Sequence, residues 1–245
     1  MIVLVIGEVC EDVFVYGQVN RLSPEAPVPI FIPKRIIRNS GMAGNVVNNV
    51  NSLVVGKKTH LIRQIGSITK TRYVDDKSNH MFMRVDDGDD SVIKYEKEFS
   101  TENYDIVIVS DYNKGFLSNE HLLQIGKSCT GISIIDSKRK LTQEIIDVYD
   151  FIKVNEHEYL NNKEILDNNL EKVIVTLGKA GVRYKGNVIP SPSPKETIDV
   201  SGAGDTFTAS FAIRFFETKD VLLSIQFANE MSAIVVSKRG VVTPL

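Results

Sequence analysis

Four segments of this chain are nearly unbroken apolar, β-branched runs: Met1-Ile-Val-Leu-Val-Ile-Gly7, Asp105-Ile-Val-Ile-Val-Ser110, Gly131-Ile-Ser-Ile-Ile-Asp136 and Lys172-Val-Ile-Val-Thr176. A strand with one face in water alternates apolar and polar residues, whereas an unbroken run is a strand covered on both faces. Two covered faces need helices on each side, which is the arrangement of a parallel sheet wound through crossover helices. The intervening chain supplies them, with helical spacing over Asn119 to Gly126 and Gln143 to Val148. Two longer helical patterns follow at roughly 203–217 and 219–237. The expected fold class is α/β with a mostly parallel central sheet.

One region departs from this rhythm. Pro27-Val-Pro-Ile-Phe-Ile-Pro-Lys-Arg-Ile-Ile37 contains three prolines, which forbid a helix and suit an edge strand or flap. A second extended patch runs from Thr69 to Val74 and from Met81 to Val85, split by the turn-rich Asp75-Asp-Lys-Ser-Asn79. Together they predict a small β lid, with strands from about 13–38 and 69–86, projecting from a single domain over residues 1–245. Val182 to Tyr184 and Asn187 to Ile189 read as a hairpin around Lys185-Gly186, followed by the Pro/Ser stretch Pro190 to Pro194. Asp86-Asp-Gly-Asp-Asp90 reads as solvated turns, because it lacks the full calcium-loop pattern and its closing Glu.

Composition narrows the function classes. With 29 Lys+Arg against 31 Asp+Glu the net charge is −2, which argues against a nucleic-acid binder acting through bulk charge. The 42% apolar and 24% charged content fits a folded domain and excludes a disordered tail. Two cysteines, Cys10 and Cys129, are too few for a disulfide framework and read as small buried residues. Ile2 to Ile6 is far shorter than the ~20 residues a membrane span needs, and no basic leader or cleavage site is apparent. No membrane partner and a cytoplasmic location are expected.

Three strings carry chemistry. In Asp199-Val-Ser-Gly-Ala-Gly-Asp-Thr-Phe207, Gly202 and Gly204 let the backbone turn tightly and expose N–H groups at a helix start, an anion site. Asp205 would repel an anion there unless it accepts a proton from a hydroxyl attacking phosphorus. It also reads as an ordinary acidic helix start, and the local string leaves both readings open. Neither a Walker A loop nor the dinucleotide fingerprint is present. Gly41-Met-Ala-Gly-Asn45 opens a helix through Val54, where small residues permit close approach of a ligand or of the sheet. Asn155-Glu-His-Glu158 follows a short apolar run, where α/β sheets place ligands, and its oxygens suit Mg²⁺. His157 reads as a surface residue.

The order Gly7…Asp12, Gly41…Asn45, Ser110-Asp111…Lys114-Gly115, Asn155…Glu158, Thr176-Leu-Gly178…Gly181 and Asp199…Asp205 resembles the ribokinase-like (PfkB) carbohydrate kinases. Within that family the strongest resemblance is to the kinase module acting on D-glycero-D-manno-heptose 7-phosphate. It is carried by Arg21-Leu-Ser-Pro-Glu-Ala-Pro-Val-Pro29, Thr69-Lys-Thr-Arg72 with Met83-Arg-Val-Asp86, and Ser110-Asp-Tyr-Asn-Lys-Gly115. The resemblance implies a three-layer ribokinase-like sandwich and ATP-dependent phosphorylation at C1 on the way to a nucleotide-activated heptose. Asp205 would be the base, with Gly202, Ala203 and Gly204 forming the anion hole. Asn155 and Glu158 would place Mg²⁺, the latter indirectly, and the nucleotide phosphates. Thr176, Gly178 and Gly181 would line the ATP groove, with Asn229 near the adenine. Asp12, Gly41 and Asn45 would contact sugar hydroxyls. Lys70 and Arg72 are candidates for the distal phosphate, or alternating charges on an exposed strand. Asp199 is a candidate for a monovalent cation such as K⁺.

Three departures stand out. Glu8 occupies a position where many relatives carry Asp, and Met42 and Gly44 replace a smaller Gly-Ala pattern. Ile65-Gly66 runs almost directly into Ser67-Ile-Thr-Lys70, where relatives insert a helix and a strand. No nucleotidyltransferase module is expected within these residues. The alternatives are a kinase for another sugar or sugar phosphate, and a non-catalytic sugar-phosphate-binding paralogue. A lid strand can pair with its copy in a homodimer, and Pro27, Pro29 and Pro33 can equally block that pairing.

Overall fold

Ile2–Gly7 forms strand β1, and its inner residues separate the two halves of the core. Val3 and Val5 join one buried cluster, Leu4 and Ile6 the other, and all four are fully buried. This is the two-sided burial that the unbroken apolar runs require. The computed structural model describes residues 1–54, 56, 58–192 and 198–245. Ser193 and Pro194 of the Pro/Ser stretch therefore lie outside the described residues.

From β1 the chain leaves the core as β2 (Val9–Leu22) and returns as β3 (Pro29–Met42), which runs straight into helix α1 (Ala43–Leu53). It then forms β4 (Lys58–Ile62), β5 (Ile68–Asp75) and β6 (Met81–Asp87). The winding section follows as β7 (Ile106–Asp111), α2 (Asn119–Ser128), β8 (Ile132–Ser137), α3 (Gln143–Asp147) and β9 (Phe151–Asn155). Next come α4 (Glu156–Asn161), α5 (Lys163–Leu166), β10 (Val173–Thr176), β11 (Val182–Tyr184) and β12 (Asn187–Ile189). Two helices complete the described chain, α6 (Ala203–Thr218) and α7 (Val221–Val236).

The main sheet has the order β12-β11-β10-β9-β8-β7-β1-β4, parallel from β10 to β4 and antiparallel across β10, β11 and β12. Side chains of β1, β7, β8 and β10 alternate between the two clusters, one covered by α1, α6 and α7, the other by α2 and α3. Phe207, Phe211 and Phe215 recur on one face of α6, and Phe211 and Phe215 meet Phe151 edge-on, locking α6 onto β9. This is a ribokinase-like α/β fold.

A second sheet, β3-β2-β5-β6, stands apart from the first. Its strands start earlier and end later than the pattern suggests, because residues 9–12 and 39–42 stay paired down to the root of the hairpin. The proline-bearing strand β3 lies at the edge, and the pairing slips where Gly17 meets Pro33. β4 is absent from the sequence reading; as an edge strand it is only half covered and lacks an apolar run. The chain passes from Ile62 to Ile68 with neither a helix nor a strand between. Asp86 lies on the exposed strand β6 and not in a turn, and both it and Asp89 are ion-paired: Lys70 pairs with both, Arg84 with Asp86 and Lys114 with Asp89. Among the described residues no helix is long and apolar enough to cross a membrane.

Candidate active site

The carboxyl ends of β7, β8, β9 and β10 and the start of α6 converge on one crevice, where parallel sheets leave room for ligands. Two cavities open there. The larger, about 530 Å³, is lined by Asn155, Thr176, Gly178, Gly181 and Asn229 together with Gly202, Ala203, Gly204 and Asp205. The second, about 390 Å³, lies against the small sheet and is lined by Asp12, Lys70, Arg72, Arg84 and Lys114. Tyr112, Lys138, Gly202 and Asp205 line both, so the cavities meet at these four residues.

The junction is built on the first turn of α6. Gly202 takes a left-handed φ of 79°, and no side chain caps the helix, leaving its amide end to the cavity. A Cβ on Gly202 would lie 2.6 Å from Asn45 Nδ2, so only glycine fits. Asp205 is 6% exposed. Its Oδ2 accepts from Asn45 Nδ2 at 2.9 Å and its Oδ1 from the Tyr112 hydroxyl at 3.1 Å. Burial pushes its carboxyl up to about 6; the bond from Asn45 opposes this, Asp136 adds to it, and Lys153 and Tyr112 oppose it.

Lys153 is the one charge in the buried run of β9. Its ammonium donates to Asp136 Oδ2 at 2.7 Å, and a Cβ on Gly204 would lie 3.1 Å from it, so a buried cation sits beside the amide end of α6. Burial works against that charge, yet Asp136 holds it above the usual lysine range. Asn155 and Glu158 form a reciprocal cap on α4, each side chain bonding the other's backbone amide at 2.8 Å. Glu158 also accepts from Lys138 at 3.0 Å, so it acts on the crevice through Lys138 and the Asn155 turn.

On the other side, Asp12 pairs with Arg72 at 2.5 Å. Lys70 and Arg72 are largely buried, which removes the reading of exposed strand charges. Gly41 makes room for the Asp12 carboxylate, which a Cβ would overlap. The second cavity is lined by Asp12 but not by Asn45 or Gly41, and the buried Asn45 amide donates to Asp205. Asp199 accepts from the Ser201 and Gly240 amides at 2.9 and 3.1 Å. The sequence reading missed Tyr112, Asp136, Lys138, Lys153, Arg84 and Lys114. Lys153, a lone charge in an apolar run, was the clearest signal available.

Comparisons with known proteins bear on the family and the fold. A family model described as pfkB family carbohydrate kinase matches residues 124–245. The bifunctional protein HldE of Helicobacter pylori (strain J99 / ATCC 700824) is 30% identical over 97% of this chain, which spans 63% of that relative's length. Their match extends over 299 positions, more than the chain has residues, so the relative carries stretches with no counterpart here. Among solved structures, the nucleoside kinase of Methanocaldococcus jannaschii superposes with a TM-score of 0.70 at 18% identity, covering 98% of this chain and 93% of that one. The Arabidopsis thaliana ribokinase complexed with ribose and ATP gives 0.67 at 15% identity, covering 97% and 93%. At such identities these two establish the fold. Residues 124–245 of the chain carry the pattern of the pfkB family of carbohydrate kinases.

Proposed function

We propose that this chain transfers the γ-phosphoryl group of ATP to the C1 hydroxyl of D-glycero-D-manno-heptose 7-phosphate, giving the 1,7-bisphosphate used to make a nucleotide-activated heptose. The observation that carries this reading is the meeting of two cavities at Gly202 and Asp205. One has the size and the amide-lined floor for a nucleotide; the other holds both acceptors and cations, as a sugar phosphate needs. The solved ribokinase with ribose and ATP and the relative HldE support the nucleotide and the heptose respectively.

In this reading ATP lies along Thr176, Gly178, Gly181 and Asn229, with its terminal phosphates toward the amide end of α6 and Lys153. Phosphoryl transfer asks chiefly for alignment and charge neutralisation, which the amides, Lys153 and Lys138 provide. Asp205 accepts the proton of the attacking hydroxyl. A carboxyl raised to about 6 is ionised at neutral pH and is a stronger base than an exposed aspartate.

Mg²⁺ fits this donor set. It binds mainly through phosphates and water with few protein carboxylates, and among the described residues no cluster of three or more His, Cys, Asp or Glu forms a cage. Asp136, which lines the cavity, and Glu158 indirectly through water are the carboxylates that would hold it with the nucleotide, where it would offset phosphate charge. Asp199 has two oxygens engaged by backbone amides, so this reading gives it no K⁺. A homodimer through the small sheet is part of the proposal: all seven residues of its edge strand β6 are exposed, and sedimentation would test it.

The test is ADP release from Mg-ATP with heptose 7-phosphate, fructose 6-phosphate, ribose or water alone, and NMR of the product. Acceptor-dependent turnover with new phosphate at C1 supports the reading. Turnover on another acceptor keeps the chemistry and replaces the substrate. Binding of heptose phosphate without release would make the chain a binding paralogue.

A further inference from the structure

We propose that Tyr112 is a positioning residue for the transfer: its hydroxyl holds Oδ1 of Asp205 as an acceptor, keeping the carboxylate ionised and fixed in direction where the two cavities meet. The chemistry at stake rests on the kinase reading; the hydrogen bond itself does not. The sequence marks Tyr112 only as part of a motif, and its partner lies 93 residues away on another element.

Three contacts hold the phenol in place. The loop after β7 is clamped by Glu8, fully buried, whose two oxygens accept from the amides of Tyr112 and Lys114 at 2.9 Å each. The Lys138 ammonium stands 4.7 Å from the ring centroid. The hydroxyl itself reaches Asp205 at 3.1 Å. Desolvation and the nearby Asp111 both oppose the charge of this buried carboxylate, and the amides of Tyr112 and Lys114 offset part of that cost. Burial also drives the phenol's own ionisation well above its usual range, so Tyr112 donates and does not compete as a base.

The carboxylate has other neighbours. From the main sheet Asp136 raises its proton affinity and Lys153 lowers it, with Lys138 and Lys114 beyond them. From the small sheet Asp12, Arg72 and Lys70 line the adjoining cavity. Tyr112 and Asn45 alone touch it with hydrogen bonds among the described residues, and these two bonds reach different oxygens. Removing a donor from an ionised acceptor raises the acceptor's proton affinity.

The decisive measurement is a ¹³C-carboxyl NMR titration of aspartate-labelled protein, with the Asp205 signal identified by its loss in Asp205→Asn. In Tyr112→Phe, which keeps the ring, the Asp205 midpoint should rise by about one pH unit, the usual weight of one hydrogen bond to a charge. The acid limb of kcat should move by the same amount while KM for ATP stays within twofold. An unmoved midpoint overturns the proposal, whatever happens to turnover. A shifted midpoint in a protein that releases no ADP supports the Tyr112–Asp205 coupling and overturns the kinase reading alone. Site-specific fluorotyrosine at position 112, a stronger donor in a native-sized ring, should move the midpoint down; a rise or no change there also overturns the proposal.

Discussion

The amide of Asn45 donates to Oδ2 of Asp205 at 2.9 Å, joining the first turn of α1 to the first turn of α6. The orientation of that amide is fixed by Asn49, whose own amide donates to Asn45 Oδ1 at 3.1 Å, so the nitrogen must face the carboxylate. The small sheet enters α1 directly through β3. One side chain therefore ties the base to the hairpin that walls the acceptor cavity. Asn45→Asp would place a second carboxylate against Asp205, raising the base's proton affinity. The acid limb of the rate profile should move up by about one pH unit or more, and an unmoved limb would show that Asn45 does not set the base.

Asp205→Asn should abolish most turnover, by about 10²- to 10⁴-fold for a lost general base, while nucleotide binding persists. The same change should stabilise the protein. The folded carboxyl keeps its proton up to about 6 and the unfolded one only up to 3.8, so stability falls as pH rises through that window. The full loss is about 3 kcal/mol at 1.36 kcal/mol per unit, and the asparagine is free of it. Denaturation at pH 8 should find the variant more stable, with the gap closing as the pH falls below the window. A destabilised variant at pH 8 would contradict the burial argument.

Lys153 and Asp136 should behave as a coupled pair. Lys153→Met leaves the largely buried Asp136 carboxylate with the Thr208 hydroxyl, at 3.2 Å, as its one remaining side-chain partner among the described residues. Breaking one side of such a pair costs about 3–5 kcal/mol, and removing both costs less. Lys153→Met with Asp136→Leu should recover much of the stability in a denaturant cycle while activity stays lost, because the cation beside the amide end of α6 is still missing. Recovery of activity in the double variant would remove Lys153 from the chemistry.

The fold was legible wherever burial on two faces wrote itself into the chain, as in β1 and β7, and wherever prolines excluded a helix, as in β3. β4 was not, because a half-covered edge strand carries no such run. The base and its anion cradle were readable since glycines and an acid at a helix start are local features. The partners of the base were not: Asn45 and Tyr112 lie 160 and 93 residues from it, and no local spacing reports a contact made by topology. Asp86 and Asp89 look solvated in sequence because two of their counter-charges, Lys70 and Lys114, arrive on another strand and another loop, while Arg84 pairs with Asp86 along β6 itself.

Glu8 offers a test of the loop it clamps. Glu8→Ala strands the amides of Tyr112 and Lys114, each a buried donor worth about 1–3 kcal/mol when unpaired. Thermal denaturation should show a loss of several degrees or more, since 1 kcal/mol moves Tm by about 2–4 °C in a domain this size. Glu8→Gln keeps one acceptor oxygen and should lose less. Equal losses in the two variants would mean that the carboxylate acts only by filling space.

The second cavity tests the phosphorylated acceptor. Lys70 is locked between Asp86 and Asp89 with its side chain 9% exposed, and Arg72 is spent on Asp12. Arg84 also binds Asp86, but its side chain is 42% exposed, leaving donors for an incoming dianion. Arg84→Gln should therefore raise KM for heptose 7-phosphate by about tenfold or more, the worth of one charged hydrogen bond, with kcat little changed. KM for an unphosphorylated sugar should not move, because nothing there engages the guanidinium. Arg72→Gln should behave differently: it uncovers the buried Asp12 carboxylate and should lower stability together with affinity for both acceptors. If Arg84→Gln raised KM for neutral and phosphorylated sugars alike, the cation would be shaping the pocket wall, and the case for a sugar phosphate would pass to Lys114.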